Sequence, residues 1–263
     1  MSEPWPMLHR DARHTGVAPG VGRIPRFGPV VQKWEWRVAP PVTPATVSCY
    51  RFYSGFPLVD LDGNGTLDVV VTGPDNAIGP DCPPPGVPDL TQSTVRALRT
   101  SGPGQAAALW SLAGSVYLPT AQPEWGCSDW FDQYSAVAVD TAADPIPDIV
   151  FTSKGGIVRA VSGQTGALIW QYATSRFIEA GPMVADLDGD GHYEVVVPFG
   201  CRGQVRCYGD DGTKRWTYQL GDPAAEWTQR SIGSPSIGDV DGDGLLDVIV
   251  SAFDGKVYCL GAP

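Results

Sequence analysis

Short apolar runs alternate with Gly-, Asp- and Pro-rich stretches along the 263-residue chain. The runs are rich in Val, Ile and aromatic residues, and this pattern predicts short β-strands separated by turns. The stretches "SKGGIV" and "FDGKVY" predict two-residue hairpin turns between neighbouring strands. No run approaches the roughly 18 apolar residues that a membrane-spanning helix needs. The chain therefore has the pattern of an all-β protein without a membrane span.

One unit is repeated four times. Each copy begins with an Asp-rich loop followed by an apolar strand, and the loops start at Asp60, Asp140, Asp186 and Asp239. An apolar stretch with a tryptophan follows three of the loops, at Trp110, Trp170 and Trp216. The fourth loop lacks this stretch, but "QKWEWRV" at residues 32–38 carries Trp34 in the equivalent position. Self-similarity of this kind indicates a repeat architecture.

The repeats predict a small β-propeller of four blades, each with four antiparallel strands, in a ring closed by the N-terminal strand. Closure would leave no free sheet edge at the seam. An eight-bladed ring built from two chains is also compatible with the sequence. The predicted segments are an N-terminal extension at 1–31 and a single propeller at 32–263, with the closing strand at 32–38 and blades at 55–112, 135–172, 181–218 and 234–260.

Several side chains recur at one position of the repeat, which predicts that they lie in the core. These are Trp34, Trp110, Trp170 and Trp216, together with Cys207 and Cys259, which occupy the third strand. Cys82 and Cys127 lie in long loops instead. They are compatible with a disulfide only in an oxidising compartment.

The Asp-rich loops and the Val-rich strands after them resemble FG-GAP/VCBS repeats. "AVSGQTGALIW" at residues 160–170 also resembles the docking motif of PQQ-like propeller repeats, and the resemblance extends over the chain from Lys33 onward. It implies a fold rather than one activity, because such folds serve many functions. A PQQ-dependent dehydrogenase is disfavoured, since the resemblance implies a much longer, eight-bladed chain for those enzymes.

The loop "DLDGDGHYEVVV" has alternating aspartates, as a calcium loop does. An EF-hand loop needs a Glu at its twelfth position and a helix on either side. Counted from Asp186, that position is Val197, and the flanks are strand-like, so the loop is not an EF-hand. Oxygen donors at its first, third, fifth and ninth positions, with the carbonyl of the seventh, instead suit one hard cation.

By resemblance to FG-GAP repeats, three loops are predicted to bind Ca²⁺ between the first two strands of a blade. The implied ligands are Asp60, Asp62, Asn64, Thr66 and Asp68; Asp186, Asp188, Asp190, His192 and Glu194; and Asp239, Asp241, Asp243, Leu245 and Asp247. The copy that begins at Asp140 is predicted not to bind Ca²⁺, because Ala142 takes the third position and Pro145 and Pro147 stiffen the loop. Ions that bind only folded loops would stabilise the fold.

Charge narrows the choice of partners. The formal net charge is −11, and an acidic surface repels phosphate backbones, which argues against nucleic acid. The start "MSEPWPMLHRDARHTG" lacks the charged-then-apolar pattern of a secretion signal. This predicts a cytoplasmic protein if Met1 is the native start, and a secreted one if a signal has been removed. Either a monomer or a homodimer is compatible with the sequence.

The alternation of strands in a propeller puts the Asp-rich loops on one face and the long insertions on the other. Rigid scaffolds usually carry function on such long loops. Aromatic and charged residues cluster before each predicted first strand, near the axis, and predict a concave site for a small molecule or a glycan. The predicted ligand-binding residues are Arg51, Phe52, Trp130, Phe177, Trp227 and Gln229.

An enzyme is the alternative prediction for the same pocket. A lyase, cyclase, isomerase or hydrolase would use acid–base groups there, with arginines to hold an anion. The predicted catalytic residues are Asp132, Glu179, Tyr53, Tyr134, Arg176 and Arg230. The sequence contains no glycine-rich phosphate loop, nucleophile elbow or His-rich metal triad.

Overall fold

A computed structural model describes residues 56–74, 93–102, 105–113, 133–139, 146–153, 156–174, 178, 180–200, 203–222, 233–252 and 254–261. The regular structure of these residues consists of β-strands arranged in four antiparallel sheets. None of the described residues belongs to a helix that is long and apolar enough to cross a membrane. The prediction of an all-β fold is confirmed.

Each of the first two sheets has four strands that pair in chain order. Sheet 1 contains β1 (Leu58–Val59), β2 (Asp68–Pro74), β3 (Ser93–Gly102) and β4 (Gln105–Ala113). Sheet 2 contains β5 (Gln133–Val139), β6 (Asp148–Ser153), β7 (Ile157–Val161) and β8 (Leu168–Ala173).

The last two sheets follow the same order, but the fourth has one strand fewer among the described residues. Sheet 3 contains β9 (Met183–Ala185), β10 (Glu194–Phe199), β11 (Gln204–Tyr208) and β12 (Lys214–Gln219). Sheet 4 contains β13 (Ser236–Gly238), β14 (Asp247–Ser251) and β15 (Val257–Leu260). The predicted closing strand at 32–38 lies outside the described residues, so the predicted closed ring stays a prediction.

Sheet 2 is apolar on both faces because another sheet covers each face. In β6, Ile149 and Phe151 belong to a core cluster shared with sheet 1. Val150, on the opposite face of the same strand, belongs to a second cluster shared with sheets 3 and 4. Burial on both faces explains why this strand is a continuous apolar run rather than an alternating one.

A tryptophan from one sheet docks on the last turn of the next. The indole N–H of Trp110 donates to the carbonyl of Gly163 at 2.7 Å, and that of Trp170 donates to the carbonyl of Asp210 at 2.5 Å. A Cβ at Gly166 would lie 2.9 Å from the Trp110 ring, and one at Gly212 would lie 2.8 Å from the Trp170 ring. Each ring therefore packs flat against a glycine, and the indole hydrogen bond fixes its position.

Two predictions about small details were wrong. Cys207 is buried, but Cys259, at the equivalent position of sheet 4, is exposed. Cys207 pairs with Trp216 of β12, whereas β15 is the last strand of sheet 4 among the described residues, so Cys259 lacks the cover of a neighbouring strand there. The hairpin turns have three residues rather than two. In sheet 2, Ser153 pairs with Ile157. In sheet 4, Ser251 pairs with Val257, and the N–H of Ala252 donates to the carbonyl of Lys256 inside that pair.

The glycine under the docked indole makes a first testable prediction. Gly166→Ala should lower the free energy of unfolding by about 1–3 kcal/mol more than Gly255→Ala, because only the first methyl group overpacks an aromatic ring. Both glycines have a positive φ, +71° and +78°, so the backbone cost is matched. Urea unfolding of the two variants measures the difference, and equal losses would show that the indole contact does not constrain this position.

Candidate metal centres

Three acidic loops connect the first two strands of sheets 1, 3 and 4. In each loop the first aspartate accepts a hydrogen bond from the backbone N–H of the sixth residue. The N–H groups of Gly65, Gly191 and Gly244 donate to Asp60, Asp186 and Asp239 at 2.7, 3.0 and 3.0 Å. The same local sequence therefore produces the same turn in each of the three loops.

The ninth position of each loop is an acid at the first residue of the following strand. Asp68, Glu194 and Asp247 are buried, and each accepts a hydrogen bond from the N–H of the second loop residue, at 2.8, 2.9 and 2.9 Å. This bond turns a strand residue back toward its own loop. One carboxylate of each loop is thereby held beneath the turn.

Three carboxylates converge in every loop. The groups are Asp60, Asp62 and Asp68; Asp186, Asp188 and Glu194; and Asp239, Asp241 and Asp247. In each group, one oxygen of every member lies within 4.8 Å of the others. Carboxylate oxygens in this number and spacing are the donors that hard divalent cations take.

The side chain at the fifth position of each loop takes part in the turn. The side-chain oxygens of Asn64, Asp190 and Asp243 accept hydrogen bonds from the N–H of the seventh residue, at 2.7, 2.7 and 2.8 Å. The structure therefore brings together the predicted ligands at the first, third and ninth positions. One side-chain oxygen at the fifth position stabilises the turn, and the role of that side chain as a cation ligand stays a prediction.

One buried oxygen supports a cation at the first loop. Asp68 has no exposed surface, and its Oδ1 atom has no hydrogen-bond partner among the described residues. Burial raises the pKa of this carboxyl to about 6. A buried carboxylate oxygen without a donor is costly, and a cation is the group that would satisfy it. Burial likewise raises the pKa of Glu194.

His192 occupies the seventh position of the loop in sheet 3, and its side chain turns away from the carboxylate group. Its Nδ1 atom lies 2.7 Å from Oδ2 of Asp210, a residue of the following turn. The hydrogen bond to Asp210 raises the pKa of the imidazole. The backbone carbonyl of Asp210 is also the acceptor for Trp170, so the loop and the docking turn share this residue.

The second copy of the loop is described only at its end. Asp148 is buried, and its Oδ1 atom accepts a hydrogen bond from the N–H of Gly163 at 3.4 Å. Residues 140–145 lie outside the described residues. The prediction that this loop binds no Ca²⁺ therefore stays a prediction.

One basic residue of the first loop was missed by the sequence analysis. The guanidinium of Arg99, on β3, donates to Oδ2 of Asp62 at 3.1 Å. These residues are 37 positions apart, and only the pairing of β2 with β3 brings them together. No local motif in the sequence would have indicated this contact.

The predicted ligand pocket is not described. Its ligand-binding residues Arg51, Phe52, Trp130, Phe177, Trp227 and Gln229 lie outside the described residues, as do Asp132, Glu179, Tyr53, Arg176 and Arg230. Of this set the structure describes only the backbone of Tyr134, which pairs with Thr152.

A cavity of about 530 Å³ lies beside the acidic loop of sheet 3. It separates sheets 3 and 4, and its walls include Asp188, Glu194, Arg215, Trp216, Leu246 and Leu260. The cavity is thus on the side of the acidic loops, whereas the sequence predicts a ligand pocket on the opposite face.

Comparison with known proteins identifies the repeat. The family model described as an FG-GAP-like repeat matches residues 186–250, which span the acidic loops of sheets 3 and 4. No curated protein matches the chain.

Solved structures to which the chain is similar include a europium-containing methanol dehydrogenase, at 18% identity over 72% of this chain and 28% of that one, with a TM-score of 0.41. BamB from Moraxella catarrhalis has 15% identity over 80% and 53% of the two chains, with a TM-score of 0.42. The V. cholerae biofilm matrix protein Bap1 has 17% identity over 88% and 42%, with a TM-score of 0.39. The chain spans about half or less of the length of these proteins.

Proposed function

We propose that this chain, whose residues 186–250 match the FG-GAP-like repeat, is a calcium-stabilised propeller domain that binds a small molecule or a glycan on the face opposite its acidic loops. The observation that carries the proposal is the convergence of three carboxylates in each of three loops. A scaffold held by its loops on one face leaves the other face available for recognition.

Calcium would be held by the carboxylates at the first, third and ninth positions of each loop, together with the side chain at the fifth position. Carboxylates within 4.8 Å of one another repel each other, and a divalent cation would convert that repulsion into attraction. The buried Oδ1 atom of Asp68 would gain a partner at the same time. Because the unfolded loop does not bring these groups together, each bound ion would add its binding free energy to the stability of the fold.

The edge of sheet 4 supports the proposal that residues 32–38 supply its fourth strand and close the ring. Val257 on β15 is 72% exposed, whereas Val205, at the equivalent position of β11, is fully buried. Val205 pairs with Tyr218 of the next strand. If Trp34 has the position in sheet 4 that Trp216 has in sheet 3, then Trp36 has the position of Tyr218 and pairs with Val257. An aromatic side chain there would cover the exposed valine.

The cavity beside Trp216 supports the same arrangement. Trp110 and Trp170 each dock on the last turn of the following sheet, but Trp216 borders the cavity between sheets 3 and 4. The turn that leads into the fourth strand of sheet 4 would lie here. A closing strand at 32–38 would bring the residues that precede it to this position.

The recognition face is proposed from the topology. The turns after β6, β10 and β14 lie at the opposite end of the strands from the acidic loops. In a propeller, the insertions that precede each first strand would lie at that end too. The aromatic residues Trp130, Phe177 and Trp227 would form the walls of the pocket. No described residue favours the enzymatic alternative, which stays a prediction.

Calcium removal tests the stabilising role. At free Ca²⁺ one hundredfold above the Kd, each site should add about 2.7 kcal/mol to the free energy of unfolding. Thermal unfolding with Ca²⁺ and after chelation measures the shift in Tm, and calorimetry should give three sites, falling to two in Asp186→Asn. Asp254→Asn, an acid outside the three groups, should keep all three. An unchanged Tm on chelation would refute the calcium role.

A disulfide tests the closing strand. Val257→Cys combined with Trp36→Cys, in a Cys259→Ser background, should form an intramolecular disulfide, because directly opposed residues have Cβ atoms about 4.5–5.5 Å apart. The shifted pair Val257→Cys with Arg37→Cys should oxidise much more slowly. Non-reducing electrophoresis and peptide mapping identify the product. A cross-linked dimer would indicate the two-chain ring, and the absence of any cross-link would exclude the strand from this edge.

Aromatic substitutions test the recognition face. For any ligand found by screening glycans and small molecules, Trp227→Ala should weaken binding about tenfold or more, as the loss of an aromatic hot spot does. Leu168→Ala, at a side chain 54% exposed on β8, is the control and should bind normally. Titration calorimetry provides the affinities. If the affinity falls only with substitutions around the cavity beside Trp216, recognition lies on the side of the acidic loops and the proposal is wrong.

A further inference from the structure

We propose that Arg99 is an internal competitor for the cation at the first acidic loop, so that this loop binds Ca²⁺ more weakly than the other two and is the last to fill. The inference rests on the proposed calcium role of the loops. It concerns a residue outside the acidic motif, and it divides three sites of similar sequence into two kinds.

Both oxygens of Asp62 have partners in the first loop. Its Oδ2 atom accepts a hydrogen bond from the guanidinium of Arg99 at 3.1 Å, and its Oδ1 atom accepts one from the N–H of Asn64 at 3.2 Å. At the third position of the other loops, Asp188 and Asp241 form no ion pair with a Lys or Arg among the described residues. A cation that takes Asp62 as a ligand must therefore displace Arg99 or share the carboxylate with it.

The strand register shows that this arginine is particular to sheet 1. Leu98 pairs with Val69, Tyr208 with Val195 and Leu260 with Val248, so the residues that follow them occupy equivalent positions. These residues are Arg99, Gly209 and Gly261. A Cβ at Gly261 would lie 3.3 Å from Oδ1 of Asp247, so in sheet 4 this position is adjacent to the ninth-position acid.

The number of carboxylates also indicates that the first loop is the weakest calcium site. The first loop has Asn64 at its fifth position, where the others have Asp190 and Asp243. It therefore has three carboxylates where they have four, and Arg99 offsets one of the three. Calcium affinity rises with the number of charged ligands, so the first loop should be the weakest site. The free Oδ1 atom of buried Asp68 keeps it a cation site.

Filling would then occur in two stages. The loops of sheets 3 and 4 would hold Ca²⁺ at low concentrations and act as permanent supports. The first loop would change from an arginine-paired to a cation-bound form at higher concentrations. Arg99 is 48% exposed, so its side chain has solvent to move into when the cation binds.

The test measures the first loop alone, in a full-length background carrying Asp186→Asn and Asp239→Asn. Titration calorimetry with Ca²⁺ should show that Arg99→Gly raises the affinity about two- to fivefold, the effect of removing an exposed ion pair. Arg99→Gln, which keeps the length but not the charge, should do the same. Urea unfolding without Ca²⁺ should show both variants to be less stable than their parent.

A reciprocal change supplies the control. With Asp68→Asn and Asp186→Asn removing the other sites, Gly261→Arg should lower the affinity of the loop in sheet 4 by a similar factor. An unchanged affinity in both Arg99→Gly and Arg99→Gln would overturn the inference. A reduced affinity would also overturn it, and would make Arg99 a positioning residue for Asp62. If the parent chain binds no Ca²⁺ at any loop, the proposed function fails instead, and the two failures are distinguishable.

Discussion

The fold depends on covering apolar sheet faces with neighbouring sheets. Sheet 2 shows the solution, because Ile149 and Phe151 pack toward sheet 1 while Val150 packs into the cluster of sheets 3 and 4. A single four-stranded sheet cannot bury both faces by itself, so each unit requires its neighbours. Between sheets 1 and 2, and between sheets 2 and 3, a tryptophan–glycine contact fixes how the sheets meet, since it combines a directional hydrogen bond with a flat packing surface.

The acidic loops impose an opposing electrostatic constraint. In each turn, backbone N–H groups donate hydrogen bonds to the side chains at the first, third, fifth and ninth positions. These bonds hold three carboxylates close together. Burial of the ninth-position acid beneath the turn disfavours its charged form, and the same burial raises the pKa of Asp68 to about 6. The local hydrogen bonds therefore build a negatively charged concavity that a cation, or in the first loop partly Arg99, would neutralise. The same turns lie next to the docked tryptophans, so loop charge and sheet packing are coupled through residues such as Asp210.

Much of the fold followed from repetition in the sequence. Four copies of one pattern predicted four antiparallel sheets and their strand order, because adjacent strands joined by short turns pair with each other. The periodic spacing of the acids also predicted which carboxylates converge, since a turn of fixed length brings the first, third and ninth residues together. The role of the fifth residue as a ligand stays a prediction, because its side chain, like that of the third, accepts a hydrogen bond from the N–H two residues on. The exposure of Cys259 was missed because the repeat gives the place of a residue within its strand, but not whether a neighbouring strand covers it.

The sequence by itself determined the elements whose partners lie nearby in the chain: the strands, the turns, the acidic loops and the tryptophan positions. Only the tertiary structure decided the contacts between residues far apart, such as Arg99 with Asp62 and Trp170 with Asp210. It also decided which faces are covered, so that Val205 is buried and its equivalent Val257 is exposed. The physical reason is that local hydrogen bonds and periodicity depend on residues close together in the chain. Burial and charge pairing depend instead on which surfaces meet after the chain has folded.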